Sequence, residues 1–233
     1  VSPNERYKKN DYSYTSNNSP VSISHFYEIA KKIIKDYKIN NYNKVIEIGS
    51  NDGTFLKNIK DFSGAKVLGV DPSDNMCELA SKKGIKTLNI FFQNKNVKKI
   101  SKKYGKYDIL YGANVFNHIE NPFDFLRACK KLIKKSGLII LEIPDLDSLF
   151  KSVGFDTIYH EHRQYYSKQS ILKLFKKTDI NLIKIEKIDY MSGSLRIFAK
   201  NEKFKRNFRN KPKLRINKKK FDIFKSRIFL VKE

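Results

Sequence analysis

The sequence KVIEIGSNDGTFL at residues 44–56 decides the fold class. It begins as an apolar, β-branched strand, continues into a tight turn that contains Gly49 and Gly53, and ends at the apolar start of a helix. In parallel α/β sheets a nucleotide-shaped ligand binds at such a strand-turn-helix unit, because backbone amides at the helix start point toward it. The stretch therefore predicts an α/β sheet with a ligand site at the carboxyl end of this strand.

The residues of this turn indicate which kind of ligand it receives. A dinucleotide site needs glycines spaced as G-x-G-x-x-G, and a P-loop needs a lysine after its glycines. Neither pattern is present here. The carboxylates of Glu47 and Asp52 would repel a pyrophosphate, whereas they suit a cofactor that carries positive charge. S-adenosylmethionine has a sulfonium and an amino group, and it is the cofactor that we expect.

A second strand, at residues 66–70, ends in Asp71 and Pro72. An acid roughly 20 residues after the glycine turn can accept hydrogen bonds from both hydroxyls of a ribose. The alternative is that Asp71 serves only as the N-cap of the next helix. The two motifs in this order favour the ribose contact.

Strands and helices alternate along most of the chain. The expected strands are at residues 44–48, 66–70, 85–90, 107–112 and 137–143. The expected helices are at residues 24–38, 54–60, 74–83, 94–103 and 121–135. Such alternation predicts a mostly parallel sheet with helices on both faces, and ligands bind at the carboxyl ends of its strands.

The end of the fourth strand adds Ala113 and Asn114, which we expect to border the methionine portion of the cofactor. His118 follows at a strand-to-helix corner. It is either a member of the site or a packing and capping residue, and the sequence leaves both open.

Residues 159–162 read YHEH and gather proton-exchanging groups within four positions. This cluster is a candidate for general acid-base chemistry. The alternative is that its histidines are hydrogen-bonded in a turn. We expect no metal, because no further cysteine, histidine or carboxylate set nearby completes a tetrahedral shell.

Beyond this cluster we expect a helix at 167–177 and two strands at 181–188 and 194–199. Between the strands, small residues are followed by Arg196, which could admit and clamp an anionic or polyhydroxylated substrate. A plain hairpin turn fits the same spacing.

Composition narrows the function class. The 233 residues carry a formal net charge of +24, and no apolar run is long enough to span a bilayer. Nucleic-acid binding is an alternative on charge alone, but no recognised nucleic-acid motif accompanies the lysines, so we expect no such partner. We expect a cytoplasmic protein of open oligomeric state, with Cys77 and Cys129 as buried thiols.

The chain divides into three parts. Residues 1–22 are polar and aperiodic, which indicates a linker or the remnant of an upstream module. Residues 23–200 form the main domain, with substrate-side elements at 150–200. Residues 201–233 are expected to be a basic tail or the truncated start of a further domain.

Five motifs in order resemble the S-adenosylmethionine-dependent sugar C-methyltransferases, which methylate ring carbons of nucleotide-linked keto-deoxysugars. They are EIGSNDG at 47–53, GVDP at 69–72, ANV at 113–115, YHEH at 159–162 and SGSLR at 192–196. The first two alone indicate a class I methyltransferase of Rossmann-like fold, and YHEH narrows the family. Its members carry an N-terminal zinc module and a C-terminal domain, neither complete in this sequence, and Ser192 replaces a glycine of the family pattern.

The resemblance implies a role for each motif residue. His162 is the implied base, and Tyr159 and Glu161 support or replace it in proton transfer. His160, Ser194 and Arg196 are implied near a nucleotide-sugar substrate. The implied cofactor contacts are Glu47, Gly49, Asn51, Asp52, Gly53, Asp71, Pro72, Ala113 and Asn114. An O- or N-methyltransferase of another small molecule, and a degenerate fold that binds nucleic acid, are the alternatives.

Overall fold

A computed structural model describes residues 5–9, 12–202 and 218–231. Within these residues seven strands form one sheet in the order β3-β2-β1-β4-β5-β7-β6. Strands β1 to β5 are parallel, and β7 is antiparallel to both of its neighbours. The strands are β1 Lys44–Ile48, β2 Lys66–Asp71, β3 Thr87–Asn89, β4 Tyr107–Ala113, β5 Ile133–Pro144, β6 Asn181–Ile188 and β7 Ser194–Lys200.

Helices cover both faces of this sheet, so the predicted α/β fold is confirmed. The α-helices of the described ranges are α1 Pro20–Tyr37, α2 Thr54–Ser63, α3 Asp74–Lys82, α4 Asn94–Tyr104, α5 Pro122–Leu132, α6 Leu146–Ser152, α7 Lys168–Lys176 and α8 Lys218–Val231. In β1 Val45 packs on the face that α1 and α2 cover, whereas Ile46 and Ile48 pack on the face of α4, α5 and α7. This alternation is the period of two that a strand buried on both faces requires.

Several boundaries differ from the sequence prediction for local reasons. Helix α1 begins four residues early because Ser19 caps it by accepting from the Ser22 amide, and Pro20 occupies its first position. Strand β5 begins directly after α5, at Ile133, which is buried and paired with Tyr107 of β4. The apolar pattern of this segment suits a helix and a buried strand equally. The predicted helix therefore extends to residue 135, whereas α5 ends at Leu132.

The structure describes part of the predicted C-terminal segment, residues 201–233. Part of the expected basic tail is helix α8, whose Phe224 is buried and lies 4.6 Å, ring centre to ring centre, from Phe150 of α6. Residues 203–217 and 232–233 of that prediction lie outside the described residues, as do residues 1–4 and 10–11 of the expected linker.

Two smaller expectations can also be checked. Cys129 is buried as predicted, whereas Cys77 is only partly buried. Among the helices described here, none combines the length and apolar character that a bilayer crossing demands.

Candidate active site

The glycine turn after β1 is built from left-handed backbone. Gly49, Asn51 and Gly53 have φ values of 69°, 50° and 75°. A Cβ on Gly49 would lie 3.1 Å from the Cβ of Val115, so a side chain there would be both strained and crowded. The turn thereby brings the backbone of Gly49 to the wall of a cavity of about 650 Å³.

One carboxylate oxygen and one amide oxygen at this cavity have no hydrogen-bond partner among the described residues. They are Oε2 of Glu47 and Oδ1 of Asn114, and both residues line the cavity. Burial, reinforced by the charges of Asp52, Asp71 and Glu142, raises the pKa of Glu47 well above its usual range. Because buried acceptors cost free energy when they are left unpaired, this wall fits a cationic or amino-bearing ligand.

Asp71 at the end of β2 is held by backbone amides. Its Oδ2 accepts from the Asn51 amide at 2.8 Å, and its Oδ1 accepts from the Ser73 amide at 2.9 Å. Each oxygen retains a lone pair, which suits the two hydroxyls of a ribose. The N-cap alternative is wrong, since Ser73 is the N-cap of α3.

Two of the implied cofactor contacts, Asp52 and Gly53, do not line the cavity. Asp52 is buried, and its Oδ2 pairs with Nζ of Lys83 at 2.8 Å. This ion pair ties the start of α2 to the end of α3. Gly53 occupies the N-cap position of α2 in a left-handed conformation. Asp52 and Gly53 therefore shape the turn without lining the cavity. Pro72 and Ala113, in contrast, do line it.

Asn51 faces the cavity, but its side chain serves another purpose. Its Oδ1 accepts from the Ser16 amide at 2.8 Å, and its Nδ2 donates to the Tyr14 carbonyl at 2.9 Å. The Asn75 side chain likewise bonds both backbone groups of Tyr12. Residues 12–16, which we expected to be a linker, are thus held against the domain.

We call residues 5–9 and 12–16 the N-terminal clasp, because three of its tyrosines line the cavity. These are Tyr7, Tyr12 and Tyr14. Sequence analysis missed them, although three tyrosines within eight positions of a polar segment were a usable signal. It also missed Phe91 and Phe92 after β3, which line the cavity and add apolar surface to its wall.

The predicted acid-base cluster contributes two residues to the same cavity, Tyr159 and His162. Nδ1 of His162 lies 2.8 Å from the Thr157 carbonyl, and Nε2 lies 2.9 Å from the Tyr159 hydroxyl. Since a carbonyl can only accept, Nδ1 carries the hydrogen and Nε2 presents its lone pair toward Tyr159. Burial lowers the pKa of His162, so its imidazole is neutral at pH 7 and able to accept a proton.

His118 also lies in the cavity, with its ring centre 4.9 Å from that of His162. Its Nδ1 donates to the Glu161 carbonyl at 2.9 Å, which leaves Nε2 as the nitrogen with a lone pair. Burial, and then the proximity of His162, lowers the pKa of His118 to about 4. The structure therefore joins two neutral imidazoles from segments far apart in sequence.

The other members of the cluster lie outside the cavity wall. The side chain of Glu161 is 2.9 Å from Nε of Arg6, and that of His160 is largely exposed. Glu161 and His160 are therefore adjacent in sequence to Tyr159 and His162 but do not share their place in the cavity wall. We call residues 157–163 the proton-transfer segment, after the role that the sequence predicts for residues 159–162.

Arg196 is not directed at the cavity. It lies on β7 between Glu142 of β5 and Glu186 of β6 in register, and its Nε donates to Glu142 Oε1 at 2.6 Å. His25 of α1 lies 2.6 Å from the other oxygen of Glu142. Ser194 is buried and donates to the Tyr190 carbonyl. The strand pairing thus places both predicted substrate residues inside the fold.

The cavity wall can also be checked for basic side chains, and the described residues for a metal-binding cluster. Arg163 is the only Lys or Arg among the described residues that line the cavity. Within the part of the chain that the structure describes, no group of three or more His, Cys, Asp or Glu side chains is arranged to hold a metal ion.

The sheet order, the glycine turn and the cavity at the carboxyl ends of β1, β2 and β4 define a Rossmann-like fold of the class I methyltransferase type. The family model described as "Methyltransferase domain" matches residues 24–185. The chain belongs to this family.

Two curated relatives differ in what their names describe. Over 188 residues the chain is 29% identical to the C-methyltransferase NovU of Streptomyces niveus, an alignment that covers 81% of this chain and 44% of that protein. It is 25% identical to a ubiquinone biosynthesis O-methyltransferase of Pelagibacter ubique, with 75% and 78% covered. The chain thus spans less than half the length of the Streptomyces niveus protein.

Solved structures share the fold. The PH0226 protein of Pyrococcus horikoshii superposes with a TM-score of 0.61 at 18% identity, covering 81% of this chain and 94% of that one. Magnesium protoporphyrin IX methyltransferase of Synechocystis, solved with bound SAH, superposes with a TM-score of 0.60 at 15% identity, covering 77% and 84%.

Proposed function

We propose that this protein transfers a methyl group from S-adenosylmethionine to a ring carbon of a nucleotide-linked keto-deoxysugar. The observation that carries the proposal is that Tyr159, His162 and His118 line the same cavity as Glu47 and Asp71. A proton acceptor thereby adjoins the cofactor site. Transfer to carbon needs such a group, because carbon is a poor nucleophile until a proton beside a carbonyl is removed.

S-adenosylmethionine is the cofactor. The family is that of methyltransferase domains, and the Synechocystis relative has been solved with SAM and with SAH. When bound, it supplies an electrophilic methyl group on a sulfonium. In this chain the unpartnered oxygens of Glu47 and Asn114 would receive its amino group, and Asp71 would receive its ribose.

His162 accepts the substrate proton at Nε2, directly or through the Tyr159 hydroxyl that now occupies this nitrogen. The Thr157 carbonyl stabilises the resulting imidazolium by accepting from Nδ1. His118 stands beside them with its own Nε2 free to accept a hydrogen bond from the substrate. The tyrosines of the clasp line the same cavity and add aromatic surface to its wall.

A nucleotide-linked substrate is supported by Arg163. Its side chain is 42% exposed, and its nearest acid, Glu120, is 3.9 Å away. A guanidinium this loosely paired at a cavity rim suits a diphosphate. Arg163 thus takes the role that the sequence had suggested for Arg196.

The test is carbon-bound hydrogen exchange in deuterium oxide with a keto-deoxysugar nucleotide, with SAH present to fill the cofactor site. We expect the parental protein to exchange the hydrogen beside the carbonyl and His162→Asn to lose this exchange. His160→Asn is the matched comparison, and we expect exchange close to the parental rate because its imidazole is outside the cavity wall. A His162→Asn protein that still exchanges at the parental rate would remove His162 as the proton acceptor.

Transfer to oxygen is the second candidate, and the Pelagibacter ubique relative favours it. An O-methyltransferase needs no proton removed from carbon. If the parental protein methylates an acceptor without any exchange at carbon, this second candidate replaces the first.

A further inference from the structure

The N-terminal clasp and the proton-transfer segment are joined by one ion pair. Nε of Arg6 lies 2.9 Å from Oε1 of Glu161, with side chains that are only 28% and 21% exposed. The N–H does not point along this line, so the contact is an ion pair rather than an aligned hydrogen bond. The guanidinium also stacks over the ring of Tyr12, 4.8 Å from its centre. This cation contact fixes Arg6 on its own segment.

Glu161 connects this pair to both histidines. Its backbone carbonyl accepts from Nδ1 of His118, and its chain neighbour is His162. The carboxylate of Glu161 therefore contacts Arg6, while the backbone of Glu161 is bonded to His118 and is continuous with His162. A shift of Glu161 would move both proton-accepting nitrogens.

The other end of the clasp is attached to the cofactor loops. Asn51 of the glycine turn and Asn75 of α3 hold the backbone of residues 12–16, and Asn51 also donates its amide to Asp71. The cofactor loops are thereby hydrogen-bonded directly to the clasp. A ligand that orders these loops lowers the cost of ordering what is bound to them.

We infer that Arg6 is a positioning residue that couples cofactor binding to the ordering of the proton-transfer segment through Glu161. The inference rests on the proposed function, because this segment carries the proton acceptor. Arg6 itself touches no reacting atom. The coupling makes the base competent mainly when the cofactor site is filled, which limits proton abstraction while that site is empty.

The test reads backbone amide hydrogen exchange by mass spectrometry, with SAH as the probe, so it needs no turnover. In the parental protein SAH should slow exchange in residues 12–16 and in residues 157–163. In Arg6→Glu the slowing at 12–16 should persist, and that at 157–163 should be lost. The charge swap Arg6→Glu/Glu161→Arg should restore it, and Arg6→Gln should show the same loss with a smaller perturbation of folding.

Lys8→Glu is the matched control. Lys8 pairs with the exposed Asp74, so this variant has the same charge change on the same segment without touching Glu161. It should keep the SAH-dependent protection of 157–163. Three results would overturn the inference: no SAH-dependent protection of 157–163 in the parent, full protection in Arg6→Glu, or equal losses in Arg6→Glu and Lys8→Glu. Failure of the proposed function shows separately, as absent deuterium exchange at the substrate carbon.

Discussion

The cavity has a cofactor side, around Gly49 and Asp71, and an acceptor side, around His118 and His162, where the proposed methyl acceptor would lie. The two sides are positioned by different means. On the cofactor side, left-handed backbone at Gly49 and two amide hydrogen bonds to Asp71 place the contacting groups. On the acceptor side, His118 and His162 are each fixed by one bond from a ring nitrogen to a carbonyl in the loop of residues 155–163. Backbone conformation holds the first, and hydrogen bonds of two histidine side chains hold the second.

This difference implies that the two sides differ in the free energy needed to open them locally. The cofactor side sits at the ends of strands in the sheet centre, where local opening costs most of the global free energy. The acceptor side depends on a few bonds that can open locally at lower cost. A separate buried charge network, Glu142 with His25 and Arg196, joins β5, β7 and α1.

The largest expected change in the free energy of unfolding comes from breaking that charge network. Arg196→Leu leaves the Glu142 carboxylate buried with His25 as its remaining ionisable partner among the contacts described here. Breaking one side of a buried ion pair lowers the free energy of unfolding by about 3–5 kcal/mol. Urea unfolding measures this change.

Its control is Lys32→Met, which removes a cation from the exposed pair with Asp36 and should cost about 0–1 kcal/mol. If Arg196→Leu instead raised the KM for the acceptor while the free energy of unfolding stayed parental, Arg196 would be a substrate residue after all. The comparison between the two sides would then have to be redrawn.

The second effect concerns pH. His118 has a pKa of about 4 in the folded protein, held down by burial, against an ordinary value near 6.5. As pH falls below 6.5, the unfolded chain takes up a proton that the folded protein does not. Stability present above 6.5 is therefore lost progressively down to pH 4, by about 3 kcal/mol in total.

Urea unfolding of the parent and of His118→Asn between pH 7.5 and 4 measures this contribution. The variant should lose less stability over that interval than the parent does. Identical pH slopes would show that His118 is not buried neutral in the folded state, and the acceptor side would be more open than its contacts indicate.

The features held by local backbone structure were predicted from the sequence, whereas those held by contacts between distant residues were not. The parallel strands, the glycine turn and the position of Asp71 at the end of β2 were predicted correctly because each has a local signal, an apolar run that ends in glycine or acid. Arg196 was misplaced because its partner Glu142 is 54 residues away, and SLRIFAK looks the same whether the arginine faces ligand or carboxylate. The clasp was missed because Asn51 and Asn75 hold it through side chains that no short-range pattern reveals.

The smallest expected effect on stability tests the cofactor side. Gly49→Ala places a Cβ in a left-handed conformation, which costs about 1–2 kcal/mol, and 3.1 Å from Val115, which must move. Because Gly49 lines the cavity, the shift should also weaken SAH binding, by roughly tenfold for each 1.4 kcal/mol. Unfolding and titration calorimetry with SAH measure the two losses.

Gly84→Ala separates strain from contact. Gly84 has nearly the same φ, 71°, and a Cβ there would meet only the end of the Lys60 side chain at 3.8 Å. This variant should lose similar stability and keep parental SAH affinity. If both variants weaken SAH binding equally, general loosening explains the loss and backbone placement at Gly49 does not. If only Gly49→Ala does, the cofactor side is set by the backbone, as the contrast with the acceptor side requires.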